Sequence, residues 1–214
     1  MEKQIKKKFN ALRKVSYSYF REKGWQVGPY TSPNPVKRSI FYRRLLNLLT
    51  IFPCDLDEDA MIVDFGAGQC IFSIFLLSLG YNQVKSVDIN EKSLQEGVSL
   101  LDYYNDVLKT SFRLDTCTEM PKCEIDLICA IDVFEHFTPQ QAIGIIRSTS
   151  SPKYLLNIPS ENFLYSLGTG FRREKDHHMR PSEVLAIFNQ CGFDIRSSRT
   201  FLSLFNGYLL ERGS

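Results

Sequence analysis

The sequence has no apolar run near the roughly 20 residues that a membrane-spanning helix requires, so no span is expected. Its start, MEKQIKKKFNALRKV, is basic but lacks the apolar centre and small-residue cleavage site of a secretory signal, so a mature, soluble, cytoplasmic protein is expected. The six cysteines include no CxxC pair, which argues against a zinc site and against a small disulfide-stapled domain. Several sit inside apolar stretches, and reduced, buried thiols are the expectation. Low-complexity segments and internal repeats are also missing. Histidine is scarce, with only three residues, all within two short stretches.

What is present suits one globular domain of 214 residues with an appendage, since 43% of residues are hydrophobic and can fill a core. The net charge of +2 speaks against a dedicated nucleic-acid binder but conceals an asymmetry. Residues 1–50 hold twelve Lys/Arg and two Glu, whereas residues 51–214 hold fourteen Lys/Arg and twenty-two Asp/Glu. The basic segment reads either as a solvated helix face or as a platform for an anionic substrate or surface.

Ile5, Phe9, Leu12 and Phe20 recur at near-helical spacing among lysines, predicting an amphipathic first helix. GWQVGPYTSPNPVK is a loop or hinge, and KRSIFYRRLLNLLTIF resumes a helical pattern. From residue 60 strands and helices alternate. The strands are AMIVDF (60–65), QVKSVDI (83–89), SFRLD (111–115), IDLICAI (125–131) and KYLLNI (153–158). The final stretch, DIRSSRTFLSLFNGYLLE, reads as a hairpin. Such alternation means βαβ units and a mostly parallel sheet, which binds ligands at the carboxyl ends of its strands.

VDFGAGQC, residues 63–70, carries the first two glycines of a dinucleotide fingerprint, but Ile71 stands where the third belongs. Asp64 would repel a diphosphate and welcome an ammonium or sulfonium group. Asp88 falls twenty residues after Gly68, at the tip of the second strand, where a carboxylate can accept both hydroxyls of a ribose. Asp115 and Thr116 are expected at the third tip, facing the exocyclic amine of an adenine. A nucleoside with a charged amino-acid tail and no phosphate satisfies all three.

Over residues 60–200 the chain resembles the class I S-adenosylmethionine-dependent methyltransferases, and the ubiquinone-pathway-like O-methyltransferase group in particular. VDFGAGQC is similar to their glycine motif, SVDIN to the ribose motif and RLDT to the adenine motif. IDLICAIDVFEHF is similar to the fourth-strand motif and HHMRPSEVLAIFNQCGFDI to a late helix-Gly-Phe segment. The resemblance implies an α/β fold, a doubly wound, mostly parallel seven-stranded sheet with a C-terminal antiparallel hairpin. Residues 1–52 would form a basic helical extension or lid, and 53–214 the cofactor-binding domain. S-adenosylmethionine would contact Asp64, Gly66, Ala67, Gly68, Asp88, Ile89, Asp115, Thr116 and Asp132.

Catalysis by alignment of a nucleophile needs a base near the fourth strand when that nucleophile is a hydroxyl or amine. DVFEHF and REKDHHMRP supply Glu135, His136, His177 and His178. Two readings stay open. Asp132, Glu135 and His136 with His177 or His178 resemble the Mg²⁺ or Mn²⁺ ligands of metal-dependent ubiquinone-pathway O-methyltransferases and small-RNA 2′-O-methyltransferases, although Asp at the first place and a shorter spacing depart from the latter. Alternatively the histidines are metal-free contacts or fix turns. Trp25 and Tyr30 are candidate lid residues; Phe163, Tyr165, Phe171, Arg172, Arg173 and Lys175 are candidates for a substrate wall. The expected reaction is O-methylation of a small or medium polar acceptor, neutral or anionic, such as a sugar, glycan end or natural-product hydroxyl. RNA 2′-O-methylation and a catalytically silent cofactor-binding scaffold are the alternatives.

Overall fold

The structure, a computed structural model, describes residues 2–24, 30, 32–160 and 178–213. Two helices come first, α1 (Glu2–Glu22) and α2 (Pro35–Leu48). The alternating part follows as β1 (Met61–Phe65), α3 (Ile71–Leu79), β2 (Gln83–Val87), α4 (Glu91–Leu108), β3 (Asp115–Cys117) and β4 (Leu127–Ile131). A single 3-10 turn (Phe134–His136) leads to α5 (Pro139–Ser148), then β5 (Lys153–Pro159), α6 (Pro181–Gln190), β6 (Phe193–Phe201) and β7 (Phe205–Arg212).

The strands form one seven-stranded sheet ordered β3-β2-β1-β4-β5-β7-β6. β3 through β5 run parallel, and β7 returns antiparallel between β5 and β6. This is the expected doubly wound sheet with its terminal hairpin. The strand order reverses beside β1, so the crevice for a ligand opens at the tips of β1, β2 and β4.

Local chemistry explains the helix starts. Asn34 caps α2 by accepting from the amides of Val36 and Lys37, and Pro35 occupies the first turn where no amide is needed. Thr138 and Gln141 form a reciprocal capping box ahead of Pro139 in α5. α3, IFSIFLLSL, is apolar nearly all round because Ile71 through Ser78 are all buried between the sheet and outer helices.

The first two helices share this core. Phe9, Leu12, Val15, Tyr19 and Phe20 of α1 and Tyr42, Leu45 and Leu48 of α2 join the same buried cluster as Ile62 of β1 and Phe75 of α3. Phe9 lies 5.4 Å from Phe75 and 6.1 Å from Tyr42, ring centre to ring centre. Packing therefore continues across residue 52 without a break. Among the described residues no helix is long and apolar enough to cross a membrane.

The strand that differs most from its expected span is β3, which begins at Asp115 rather than ending there, because the backbone of Phe112 has another partner. The Asn105 side chain donates to the Phe112 carbonyl (2.9 Å) and accepts from the Phe112 amide (3.1 Å), satisfying backbone groups a strand would have used. β3 is then only three residues long.

Candidate functional site

The turn after β1 is built from backbone outward. Gly66 and Gly68 adopt φ of 73° and 52°, a region costly for residues with a Cβ. The amides of Gly66 (2.7 Å) and Ala67 (3.1 Å) donate to the Val87 carbonyl, which ties the turn to the end of β2. A Cβ on Gly66 would stand 2.3 Å from a methyl of Val133, just past β4, whereas one on Gly68 would meet nothing within 4 Å. Gly66 thus seals the turn against β4, and Gly68 borders open space.

Asp88 follows β2 directly. Its carboxylate accepts the amides of Gly68 and Asn90, each at 2.8 Å, one on each oxygen. A carboxylate has about four acceptor positions, so two are left for hydroxyl donors. Next to it Ile89 is 94% exposed, an apolar side chain held out into solvent at a strand tip. An open groove of about 450 Å³ runs between α4 and the end of β3, lined by Glu91, Leu94, Gln95, Val98, Thr116, Cys117 and Thr118.

Two carboxylates lie elsewhere than expected. Asp64 is 2% exposed and turned toward α3, accepting from the amide (3.1 Å) and hydroxyl (2.6 Å) of Ser73. The Ser86 hydroxyl donates in turn to Ser73 Oγ (2.6 Å). Burial pushes the Asp64 carboxyl up to about 6, against the pull of the Ser73 hydrogen bonds, with the charge of Asp88 adding a further upward push. Asp115 pairs in register with Lys85 and makes a 2.8 Å ion pair with it, two residues before the strand tip. Cys117 and Thr118, not Asp115, border the groove at that tip, while Thr116 lines it as expected.

Beyond β4, Asp132 has φ of 58° and its amide donates to the Asn157 carbonyl of β5 (2.9 Å). Its Oδ2 takes a 2.5 Å ion pair from Arg44, carried by α2 and 1% exposed. Glu135 is also 1% exposed, and His136, one residue on, is exposed. The Glu135 carbonyl accepts the amides of His178 (2.7 Å) and Met179 (3.2 Å), so the two histidine-bearing loops are joined through their backbones. His178 is exposed; His177 lies outside the described residues, as do Trp25, Phe163, Tyr165, Phe171, Arg172, Arg173 and Lys175.

The metal reading does not fit these donors. Among the described residues no three His, Cys, Asp or Glu side chains are grouped to hold an ion. The Asp132 carboxylate is already neutralised by a guanidinium, and Glu135 and His136 are adjacent on a tight turn with opposite burial. Among the described residues nothing supports Mg²⁺ or Mn²⁺ ligation by Asp132, Glu135 and His136, and His177 lies outside them.

Sequence reasoning missed Arg44 and Asn157. Arg44 falls three residues after Phe41 and four before Leu48, on the apolar face of α2, which is a signal that it needs a buried partner. Asn157, at 2% exposure, donates through Nδ2 to the Asn206 carbonyl (3.3 Å), and its side-chain oxygen has no hydrogen-bond partner among the described residues.

No protein-family model matches the sequence, and no curated protein is recognisably similar to it. Solved structures are similar in fold. Magnesium protoporphyrin IX methyltransferase from Synechocystis PCC 6803, with bound SAH, superposes with a TM-score of 0.66 at 17% identity over 92% of this chain and 94% of that one. The fold is that of the class I methyltransferases. Human N-acetylserotonin methyltransferase in complex with SAM gives 0.58 at 16% identity, over 82% of this chain and 53% of that one. The methyltransferase domain of bacterial CtHen1-C gives 0.61 at 17% identity, over 82% and 100%. In all, 786 solved chains match, so the methyltransferase fold by itself selects no acceptor.

Proposed function

We propose that this chain is an S-adenosylmethionine-dependent methyltransferase that methylates an oxygen of a small or medium polar acceptor, in the manner of the ubiquinone-pathway-like group. The observation that carries the reading is the join between Gly68 and Asp88 beside a 94% exposed Ile89. A carboxylate with spare acceptor positions, an apolar platform and an open backbone turn together suit a nucleoside better than a diphosphate. When bound, S-adenosylmethionine supplies a methyl group already activated on a sulfonium.

The chain's own residues then bind and orient. Asp88 accepts the two ribose hydroxyls, Ile89 covers one face of the adenine, and Thr116 to Thr118 meet its edge. Asp64 acts from behind the turn, holding the first turn of α3 through Ser73. His136 and His178 are exposed bases on loops fastened to each other, suited to taking the proton of an acceptor hydroxyl. Residues 1–52 complete the acceptor side, since Arg44 reaches the tip of β4.

A second reading, RNA 2′-O-methylation, is favoured by α1, where Lys3, Lys6, Lys7, Lys14 and Arg21 are exposed while the apolar face is buried. Transfer of a labelled methyl group from S-adenosylmethionine into fractionated cell extract separates the readings. Label in a small, nuclease-resistant product is expected. Nuclease-sensitive label would support the RNA reading, and a protein that binds S-adenosylhomocysteine but labels no fraction would be a scaffold.

A further inference from the structure

Helix α1 carries its charge outward in a row. Lys3, Lys7, Lys14 and Arg21 recur at intervals of four, seven and seven residues, so they share one helix face, and all four are exposed. At 1.5 Å per residue the row runs straight for about 27 Å. Asn10 lies between them, exposed on the same face. The opposite face is buried in the core, where Phe9, Leu12, Val15, Tyr19 and Phe20 are each at most 6% exposed. Packing therefore fixes the helix with its cations toward solvent.

A solvated helix face ordinarily mixes signs, because opposite charges four residues apart stabilise a helix and like charges there destabilise it. From Lys3 to Arg21 the sequence holds no Asp or Glu, and Lys3 and Lys7 stand four apart. Glu22, just beyond the row, accepts the Tyr103 hydroxyl of α4 at 3.0 Å. Residues 51–214 carry fourteen Lys/Arg against twenty-two Asp/Glu, so an extended anionic surface repels the rest of the chain and attracts the N-terminal side. The shape of the row selects among polyanions. A straight line of cations meets a plane along its whole length, whereas nucleic-acid phosphates follow a curved path. Single-stranded RNA is commonly held by stacking on exposed aromatic rings. Tyr17, the aromatic on this face, is already covered by the guanidinium of Arg38, 4.3 Å from its ring centre, with that of Arg21 at 6.0 Å.

We propose that the basic face of α1 docks the protein on an anionic lipid bilayer, by electrostatic attraction and without insertion. The docking is independent of the methyl transfer proposed above. Each Lys or Arg near such a surface contributes roughly fivefold to partitioning, so four together supply roughly a hundredfold or more. Insertion is excluded because the apolar face of α1 would have to leave the core. Binding of this kind is peripheral, reversible and screened by salt.

The test is sedimentation of the full chain with vesicles of phosphatidylcholine alone, or of phosphatidylcholine mixed with phosphatidylglycerol. Wild type should bind the anionic vesicles, ignore the neutral ones, and be released as salt approaches about 1 M, where attraction reaches only about 3 Å. Lys3→Gln/Lys7→Gln/Lys14→Gln/Arg21→Gln should bind the anionic vesicles roughly a hundredfold more weakly, with the urea midpoint of wild type or above. A control with the same loss of charge at other exposed sites, Lys122→Gln/Arg147→Gln/Arg196→Gln/Arg199→Gln, should stay within about threefold of wild type, because distant charges are screened. No preference for anionic vesicles, wild-type binding by the α1 variant, or equal losses in the two variants would overturn the docking face. A single-stranded RNA oligomer that bound more tightly than the vesicles at the same salt, and lost that binding in the α1 variant, would overturn it in favour of nucleic acid. S-adenosylhomocysteine affinity, measured on the same proteins, separates failure of the docking face from failure of the proposed function.

Discussion

Gly66 and Gly68 differ by two positions, and alanine at each should fail differently. Both have positive φ, so a Cβ costs about 1–2 kcal/mol at either. At Gly66 the new methyl would also sit 2.3 Å from Val133 Cγ2. Val133 is β-branched and 9% exposed, so it has little freedom to move aside, and overpacking of this kind costs about 1–3 kcal/mol. Gly66→Ala should therefore lose about 2–5 kcal/mol of stability in urea unfolding. Gly68→Ala, with open space around it, should lose only about 1–2 kcal/mol. Its penalty should fall instead on S-adenosylhomocysteine affinity, because the methyl occupies the side of the turn a ligand approaches. A Gly66→Ala protein as stable as wild type would refute the packing argument. A Gly68→Ala protein with unchanged affinity would show that the open space is not the ligand's.

Two further outcomes follow from burial. Asp64 is held up at about 6 against an ordinary 3.8, so between these values the folded chain binds more protons than the unfolded one, and stability should fall as pH rises from about 4 to 6. Asp64→Asn keeps an acceptor for Ser73 and should remove up to roughly 3 kcal/mol of that fall; melting curves with the wild-type slope would contradict it. Phe9→Ala empties a site packed by Phe75 and Tyr42 and should cost about 3–5 kcal/mol, whereas a loss under about 1 kcal/mol in urea unfolding would mean that α1 is an appendage.

Much of the parallel sheet is written in local pattern. MIV and LICAI are continuous apolar runs because both faces of their strands are covered, and the glycine turn follows shortly after the first. β3 was less legible, since three residues carry no periodicity and the Asn105 side chain claims the backbone before it. Asp132, Glu135 and His136 look like one ligand set in sequence. A positive φ at Asp132 and a 3-10 turn at Phe134–His136 instead send one to an arginine, one into the core and one to solvent. Beside Arg43 in a helix with four basic residues, Arg44 is marked only by its spacing to Phe41 and Leu48, and its partner is fixed only by the way α2 packs across the sheet.

The most direct test of the nucleoside site is calorimetric titration of S-adenosylhomocysteine into wild type and Asp88→Ala. Saturable one-to-one binding is expected in wild type. Loss of a charged acceptor for two hydroxyls should weaken it by about 1.5–3 kcal/mol in the variant, roughly ten- to a hundredfold or more. NAD should give no heat under the same conditions. Equal affinity in the two proteins, or NAD binding in place of the nucleoside thioether, would contradict the account.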